Sequence, residues 1–319
     1  MKHKFKPSKY YFTFGPHEPV LSLKAGDTLI TTTLDAGCHD SSGNLIGEEM
    51  KQRSEDTEYH TGNPLVGPFY VEDADLKDTL VVHIEKIALN RESAYSRIRP
   101  HFASLTEEGP GKRLSLTEPL EERYFTWKLE LEKNVGILNL SKSKLNKVEI
   151  PLHPFLGTIG VAPRYGRQEM SLTPGSHGGN MDCIETRKGT TLYFPVFVRG
   201  AYLAFGDVHA AQGDGEICGV ALETTAEVTL RLDIIKGRAI EWPRFEDREY
   251  IMVAGSSRPL MEAFKIAYVE MTNWLTTDYG FEKWEAFQLL SQVNQCSIGN
   301  VCDPNYTVVA KFPKKYLPR

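Results

Sequence analysis

The sequence has few cysteines, no excess of positive charge and no long hydrophobic run. Its 319 residues include five cysteines, an odd number at irregular spacing, which favours free thiols in a reducing cytoplasm over a disulfide framework. The net charge of -5 disfavours nucleic acid as a partner. No apolar run is long enough to span a bilayer, and no hydrophobic signal core follows the basic N-terminus. With 41% hydrophobic and 25% charged residues, we expect a globular cytoplasmic protein without membrane or nucleic-acid partners.

Residues 206–216, GDVHAAQGDGE, bring four ionisable side chains into one short segment. On a strand, Asp207 and His209 at positions i and i+2 project to the same side. A carboxylate and an imidazole directed at one point form half of a site for Zn²⁺ or a similar ion. The glycines allow the backbone to turn, so that Asp214 and Glu216 can return toward the same point. The alternative is ordinary Asp-Gly turn chemistry with a surface hydrogen bond.

Two further segments carry carboxylates next to glycines at the ends of predicted strands. Residues 173–183, TPGSHGGNMDC, precede a strand-like run over 192–198, and a β-branched run ends at Asp35. A hairpin that contains the 192–198 strand would bring segments 173–183 and 206–216 to one end of a sheet. We therefore predict that the site binds a divalent cation, with Zn²⁺ as the first choice, and Ca²⁺ stays open as an additional structural ion. The predicted ligands or immediate supports are Asp35, Asp182, Asp207 and His209.

The sequence resembles the acetamidase/formamidase family in several long motifs. The matching segments are 63–72, 157–163, 178–182, 188–193 and 206–216. Their order and spacing agree from about residue 27 to residue 235. The resemblance implies a mainly β fold, a divalent metal, and hydrolysis of short-chain amides such as formamide or acetamide to a carboxylate and ammonia.

Amide hydrolysis requires activation of the carbonyl group and protonation of the departing amine. A metal polarises the carbonyl and makes hydroxide available near neutral pH, while a carboxylate transfers the proton. We predict that Glu216 is this general base and acid, with Asp214 in reserve. Asn180 and His177 are predicted to contact the substrate, although Asn180 has an alternative partner in the carboxylate of Asp182.

Two alternatives stay open. Cys183, with Glu185 and Lys188 nearby, has the residue types of nitrilase-type amidases, but a small buried thiol is the more common role for such a cysteine. The second alternative is a non-catalytic β-protein whose loops hold a structural cation or a small sugar-like ligand.

The hydrophobic pattern predicts a mainly β chain, a multi-stranded sandwich or barrel-like core with a C-terminal helical pair. Alternation over 124–131 and 228–234 indicates half-buried strands, and the polar segment 89–122 is interpreted as an insertion or long loop. We predict a catalytic core over 1–248 and a helical segment over 249–319.

Helical spacing appears only near the C-terminus. Residues 260–275 predict one helix with Ser257 as its N-cap, and Gly280 separates it from a second helix over 281–293. Trp284 and Phe287 are predicted to belong to the core. An exposed helical pair also makes a homo-oligomer, in the simplest case a dimer, a reasonable expectation.

Overall fold

The structure is a computed structural model, and it describes residues 1–52, 62–100, 102–105 and 120–318. Most of the ordered elements are strands, and two α-helices lie near the C-terminus, which confirms the predicted fold class. The strands are β1 (Lys2–Lys4), β2 (Tyr10–Tyr11), β3 (Thr13–Phe14), β4 (Leu21–Leu23), β5 (Thr28–Thr32), β6 (Lys51–Gln52), β7 (Leu65–Val71), β8 (Thr79–Leu89), β9 (Ser93–Ile98), β10 (Arg123–Glu130), β11 (Val135–Leu140), β12 (Asn146–Pro151), β13 (Phe155–Gly160), β14 (Glu169–Met170), β15 (Gly178–Asn180), β16 (Thr191–Pro195), β17 (Leu203–His209), β18 (Glu223–Thr224), β19 (Ala226–Ile235), β20 (Arg244–Glu246), β21 (Tyr250–Ser257), β22 (Gln295–Ile298) and β23 (Tyr306–Pro313). The helices are α1 (Leu260–Tyr279) and α2 (Lys283–Val293).

Two large sheets organise the described part of the chain. The first has nine strands in the order β1-β5-β19-β8-β16-β20-β21-β23-β22. The second has twelve strands, with the path β12-β11-β10-β9-β18-β17-β7-β2-β6, and β13 pairs with both β15 and β17. A two-stranded sheet of β3 and β14 completes the set.

One hydrophobic cluster draws side chains from both large sheets. On β19, Val228 and Leu230 are fully buried in this cluster while the intervening Thr229 is half-buried, as the alternation in the sequence predicts. Phe69 of β7 and Phe205 of β17 enter the same cluster from the other sheet. Apolar side chains therefore fill the space between the two sheets and fix their relative position.

The helices cover the opposite face of the nine-stranded sheet. Along β21, Ile251 and Val253 pack with the helices, whereas Met252 points into the core between the sheets. Both α1 and α2 contribute to the outer cluster through small and apolar side chains such as Ala267 and Leu290. Successive side chains of a strand point to opposite faces, so β21 contributes both to the core between the sheets and to the cluster beneath the helices.

Two details of the helices differ from the predictions. Helix α1 begins at Leu260 with Pro259 at the N-cap position, so Ser257 belongs to β21 and not to a helix cap. Trp284 and Phe287 are 67% and 59% exposed, so the prediction that they lie in the core was wrong. The reason is rotational, because the buried side of α2 is centred on Ala286 and Leu290, and the i, i+3 stripe of aromatics turns away from this side toward Trp284.

The interpretation of 89–122 as an insertion or loop was wrong in part. Strand β9 lies inside this segment and pairs with β10 in antiparallel register, and residues 101 and 106–119 lie outside the described part. The proposed domain boundary at 248 falls between β20 and β21, which are paired in one sheet, and the division stays a prediction. No helix among the described residues is long and apolar enough to cross a membrane.

Candidate active site

Strand β13 organises the site because it pairs with β15 on one side and β17 on the other. Thr158 of β13 lies opposite Asn180 on β15 and opposite Gly206 on β17. The backbone N–H of Asp182 donates to the carbonyl of Gly157, which ties the residue after β15 to the same strand. The predicted hairpin was wrong, since β16 lies in the nine-stranded sheet and β17 in the other. The two polar segments meet through β13 instead.

A cavity of about 110 Å³ lies at this junction, and its lining is mostly polar. Its lining includes Asn180, Asp207, His209, Glu216, Glu223 and Asp303. All six side chains are buried, the most exposed being Glu216 at 7%. So many ionisable groups in so small a buried space are costly unless a ligand or a proton balances them.

His209 is held in one orientation by Gln212. The Gln212 amide nitrogen donates to the carbonyls of Asp182 and Gly299, both at 2.9 Å, so its oxygen faces His209 Nδ1 at 2.8 Å. Nδ1 must therefore carry the proton of the neutral ring. The other nitrogen, Nε2, is then left to face the carboxylate cluster.

Two carboxylates face His209 Nε2. Asp207 Oδ1 lies 3.3 Å and Glu223 Oε1 3.4 Å from that nitrogen. Burial alone would lower the pKa of His209, but the charges of Glu223 and Asp207 raise it well above its ordinary value. Nε2 is thus a place where a positive charge, either a proton or a cation, is strongly stabilised.

Amide and hydroxyl groups orient the carboxylates from behind. Asp207 Oδ2 accepts hydrogen bonds from Asn63 Nδ2 at 2.7 Å and from Thr158 Oγ1 at 3.0 Å. Asn180 donates to Asp182 Oδ2 at 2.9 Å and to Asp303 Oδ2 at 2.6 Å. These donors fix one oxygen of each carboxylate, and the remaining Oδ1 of Asp182 has no hydrogen-bond partner.

Glu216 approaches the cluster from the loop after β17. The Cys302 thiol donates to Glu216 Oε2 at 3.5 Å. Burial raises the pKa of Glu216 to about 7, although the neighbouring His209 charge opposes this rise. Burial also raises the pKa values of Asp182, Glu223 and Asp303 well above the ordinary range, and the nearby carboxylates add to the effect.

Two groups of three side chains have the arrangement of metal ligands. Asp182, His209 and Glu216 form one group and Asp207, His209 and Glu223 the other, with the ligand atoms of each group within 4.8 Å of one another. Gly157 lies beside both groups. A Cβ atom at this position would stand 2.7 Å from Asp182 Oδ1, 2.7 Å from Asp207 Oδ2 and 2.9 Å from His209 Cε1. The missing side chain leaves a small space that both groups face.

The backbone at three of the acidic residues adopts left-handed dihedral angles. The φ values are 50° at Asp182, 56° at Asp207 and 45° at Glu216. Such angles are unfavourable for residues with a side chain, and they persist where the surrounding structure dictates them. The strained backbone thus accompanies the convergence of three carboxylates that come from two separate parts of the chain.

Three of the predicted site residues lie apart from this cluster. Asp35 accepts from Arg91 Nη2 at 2.7 Å and from the backbone of His39 at 2.9 Å, and neither candidate group contains it. Asp214 lies exposed in the turn that follows β17. His177 is buried edge-on against Phe14, with ring centroids 5.1 Å apart, and burial lowers its pKa to about 3.

The sequence interpretation missed several residues of the cluster. Asn63, Thr158 and Gln212 lie within motifs that carry the family resemblance, so the motifs contained a signal for them. Glu223 and Asp303 lie in no such motif, and Asp303 comes from the loop between β22 and β23. Only the folded chain brings these two residues to the cavity.

The structure gives Cys183 the role of a buried structural thiol. Its Sγ lies 3.4 Å from the carbonyl of Met181, and burial raises its pKa well above the ordinary value, with Glu185 and Asp182 adding to the rise. A thiol in this setting is a poor nucleophile. Cys183, Cys218, Cys296 and Cys302 carry free thiols, as predicted.

Comparison with known proteins identifies a family that the chain resembles. Residues 167–317 match the sequence profile of the Acetamidase/Formamidase family. A segment of 69 residues, 21% of this chain, is 44% identical to an acetamidase of Mycolicibacterium smegmatis. That segment spans only 17% of the relative's length.

Solved structures extend the similarity to the whole chain. The crystal structure of an acetamidase from Yersinia enterocolitica is 35% identical, with a TM-score of 0.87, and the match covers 100% of this chain and 94% of that one. A predicted acetamidase/formamidase from Thermoanaerobacter tengcongensis is 29% identical, with a TM-score of 0.82 over 99% of this chain and 96% of that one. The chain therefore belongs to the acetamidase/formamidase family.

Proposed function

We propose that this chain hydrolyses a short-chain aliphatic amide, such as formamide or acetamide, to the carboxylate and ammonia, and that the reaction depends on one divalent cation. The observation that carries the proposal is the space beside Gly157. Two carboxylate oxygens and an imidazole face it, and one of them, Asp182 Oδ1, has no other partner. The small volume of the cavity, about 110 Å³, suits a substrate of a few heavy atoms.

The donor set fits a transition metal. Each candidate group combines two carboxylates with one imidazole, a combination that suits Zn²⁺ and seldom binds Ca²⁺. Since Nδ1 of His209 is engaged by Gln212, only Nε2 is free to bind a cation, and His209 belongs to both groups. We infer that one ion is bound, held by His209 with Asp207 and Glu223, and flanked by Asp182 and Glu216.

A divalent cation in this place would polarise the amide carbonyl and lower the pKa of a water molecule. Glu216 is the residue we assign to proton transfer. Its Oε2 is engaged by Cys302, so Oε1 would take a proton from water and deliver it to the departing nitrogen. The raised pKa of about 7 suits a group that must both accept and release a proton near neutral pH.

The test combines metal analysis with an assay of ammonia release from formamide and acetamide. We expect a stoichiometric transition metal, activity that a chelator abolishes, and losses of at least about 100-fold in His209→Ala and Asp207→Ala. Asp214→Ala, outside the cluster, is the matched control and should retain activity. Full activity in His209→Ala would contradict the proposal. A bound cation without ammonia release would favour the non-catalytic alternative.

We also infer that the helical pair forms a contact between two copies of the chain. Large apolar side chains are exposed on both helices, among them Val269 at 61% and Trp284 at 67%. An apolar surface of this kind is typical of association sites. Sedimentation velocity at micromolar concentration should give a dimer for the wild type and a monomer for Trp284→Glu. A wild-type monomer would refute the inference.

A further inference from the structure

Strand β9 and the residues that follow it form one wall of the cavity, which carries two arginines. Tyr95, Arg97 and Arg99 follow one another at intervals of two residues, and all three line the cavity. Tyr95 stands opposite Glu223 in the strand register, so this wall begins at the acidic cluster. At about 7 Å per two residues, Arg97 and Arg99 extend the wall away from that cluster. The cavity therefore combines carboxylates at one end with guanidinium groups along one side.

Neither guanidinium is paired with a carboxylate of the described residues. Arg97 Nη1 donates to the hydroxyl of Tyr124 at 2.6 Å, while its Nε is buried without a partner. Arg99 stands over the ring of Phe102, at 4.9 Å from its centroid. Arg244, which is buried elsewhere in the fold, has the usual arrangement with an ion pair to a glutamate at 2.6 Å.

Placing the two arginines together carries an electrostatic cost. Burial lowers the pKa of Arg99, and the like charge of Arg97 lowers it further. An anion between them would relieve this repulsion and would give the buried Nε of Arg97 an acceptor. A carboxylate is the natural candidate, since its two oxygens match the planar fork of a guanidinium.

We propose that Arg97 and Arg99 bind the carboxylate group of a short-chain organic acid within the catalytic cavity. The proposal rests on the proposed function for the source of that group. Hydrolysis of any amide releases a carboxylate, so the anion is either the reaction product or a carboxylate that the substrate already carries, as in the half-amide of a dicarboxylic acid. In both cases the chemistry recognised is the same.

The first test is binding and needs no turnover. The affinities for sodium acetate and for acetone, a neutral compound of similar size that cannot be hydrolysed, are measured by calorimetry with the wild type, Arg97→Gln and Arg99→Gln. We expect acetate binding to weaken at least about tenfold in each variant, because a charged hydrogen-bond donor is lost, while the acetone affinity changes less than about threefold.

Two further variants separate the charge effect from damage to the sheet. Tyr124→Phe removes the hydrogen bond that Arg97 makes between β9 and β10 but keeps both guanidinium groups. Arg123→Gln removes an exposed arginine that pairs with Glu121 outside the cavity. Both should bind acetate like the wild type, and thermal unfolding shows whether each variant is folded.

Kinetics then distinguish the two sources of the carboxylate. If the substrate supplies the carboxylate, kcat/KM for malonamate, the half-amide of malonic acid, exceeds kcat/KM for acetamide in the wild type. This preference is lost in Arg97→Gln. If the product supplies it, malonamate is not preferred, acetate inhibits competitively, and its inhibition constant rises at least about tenfold in the variants. Either result supports the site.

Two results would overturn the proposal. One is wild-type acetate affinity in the folded Arg97→Gln and Arg99→Gln variants. The other is an equal loss of acetate binding in Arg123→Gln, which would indicate a general charge effect. Because acetate binding is measured without turnover, a protein that binds acetate through these arginines but releases no ammonia would refute only the proposed activity.

Discussion

We predict that the stability of the cation-free protein depends on pH, because the charges of the buried acidic cluster are costly without a cation. The folded environment raises the pKa of Glu216 from its ordinary 4.5 to about 7. The folded state then binds more protons than the unfolded state between these pH values, so the free energy of unfolding falls as pH rises through this window. For Glu216 alone the loss amounts to roughly 3 kcal/mol by pH 8.

The other groups of the cluster act in the same direction. The pKa values of Asp182, Glu223 and Asp303 are raised by burial and by their neighbours, and they add to the loss as pH rises. The raised pKa of His209 does so too, since the imidazolium form is stabilised in the folded state and is lost at high pH. A divalent cation at the cluster replaces the protons and should remove this pH dependence.

The measurement is urea unfolding at pH 5, 6, 7 and 8, with a chelator and with added Zn²⁺. We expect the chelated protein to lose stability steadily toward pH 8 and the Zn²⁺-bound protein to be nearly independent of pH. Glu216→Gln, which is neutral at every pH, should show a shallower slope when chelated. A chelated wild type that is as stable at pH 8 as at pH 5 would refute the reasoning.

Three further predictions concern single residues. Gln212→Leu removes the acceptor that orients His209 and should weaken metal affinity by about 10- to 100-fold, measured by competition with a chromogenic chelator. Gly157→Ala places a methyl group 2.7 Å from two carboxylate oxygens and should reduce activity and bound metal at least about 100-fold. The control Gly213→Ala should retain activity and bound metal, because a Cβ at that position meets nothing within 4 Å. Asp78→Asn weakens hydrogen bonds from a lysine and a backbone N–H and should cost about 2 kcal/mol of unfolding free energy at pH 7. Because these donors outweigh burial and lower the pKa of this carboxyl group, the difference should shrink as pH falls below about 4, and an undiminished difference at pH 3 would contradict this account.

The parts of the fold that follow from local pattern were predictable from the sequence. The alternation on β19 and β10 reports burial on one face of a sheet, and that information is contained in neighbouring residues. The pairing of strands is not local. Residues 192–198 and 203–209 are close in sequence, yet β16 and β17 lie in different sheets, because side chains of both pack into the core between them. Proximity in sequence therefore predicted the wrong hairpin.

The exposed aromatics of α2 show a similar limit. Trp284, Phe287 and Leu290 form a stripe at intervals of three residues, which a hydrophobicity argument assigns to the interior. The packed side of the helix is instead set by the partner surface, where Ala286 and Leu290 fit against α1 and β23. Hydrophobicity indicates that a residue favours burial, but it does not say which of two apolar sides meets the rest of the chain.

The site itself combines both kinds of information. A motif that places a carboxylate and an imidazole two residues apart predicts a pair, and the pair of Asp207 and His209 is found in contact. Whether a third or fourth acidic group belongs to it depends on distant segments such as the loop that carries Asp303.

The decisive position is Gly157, whose contribution is the absence of a side chain. A search for reactive groups passes over a glycine, yet a Cβ at this point would occupy the space between the carboxylates of Asp182 and Asp207. The cluster has this space because β13 presents only backbone to it, and this property of the packed sheet cannot be recognised from any single residue type.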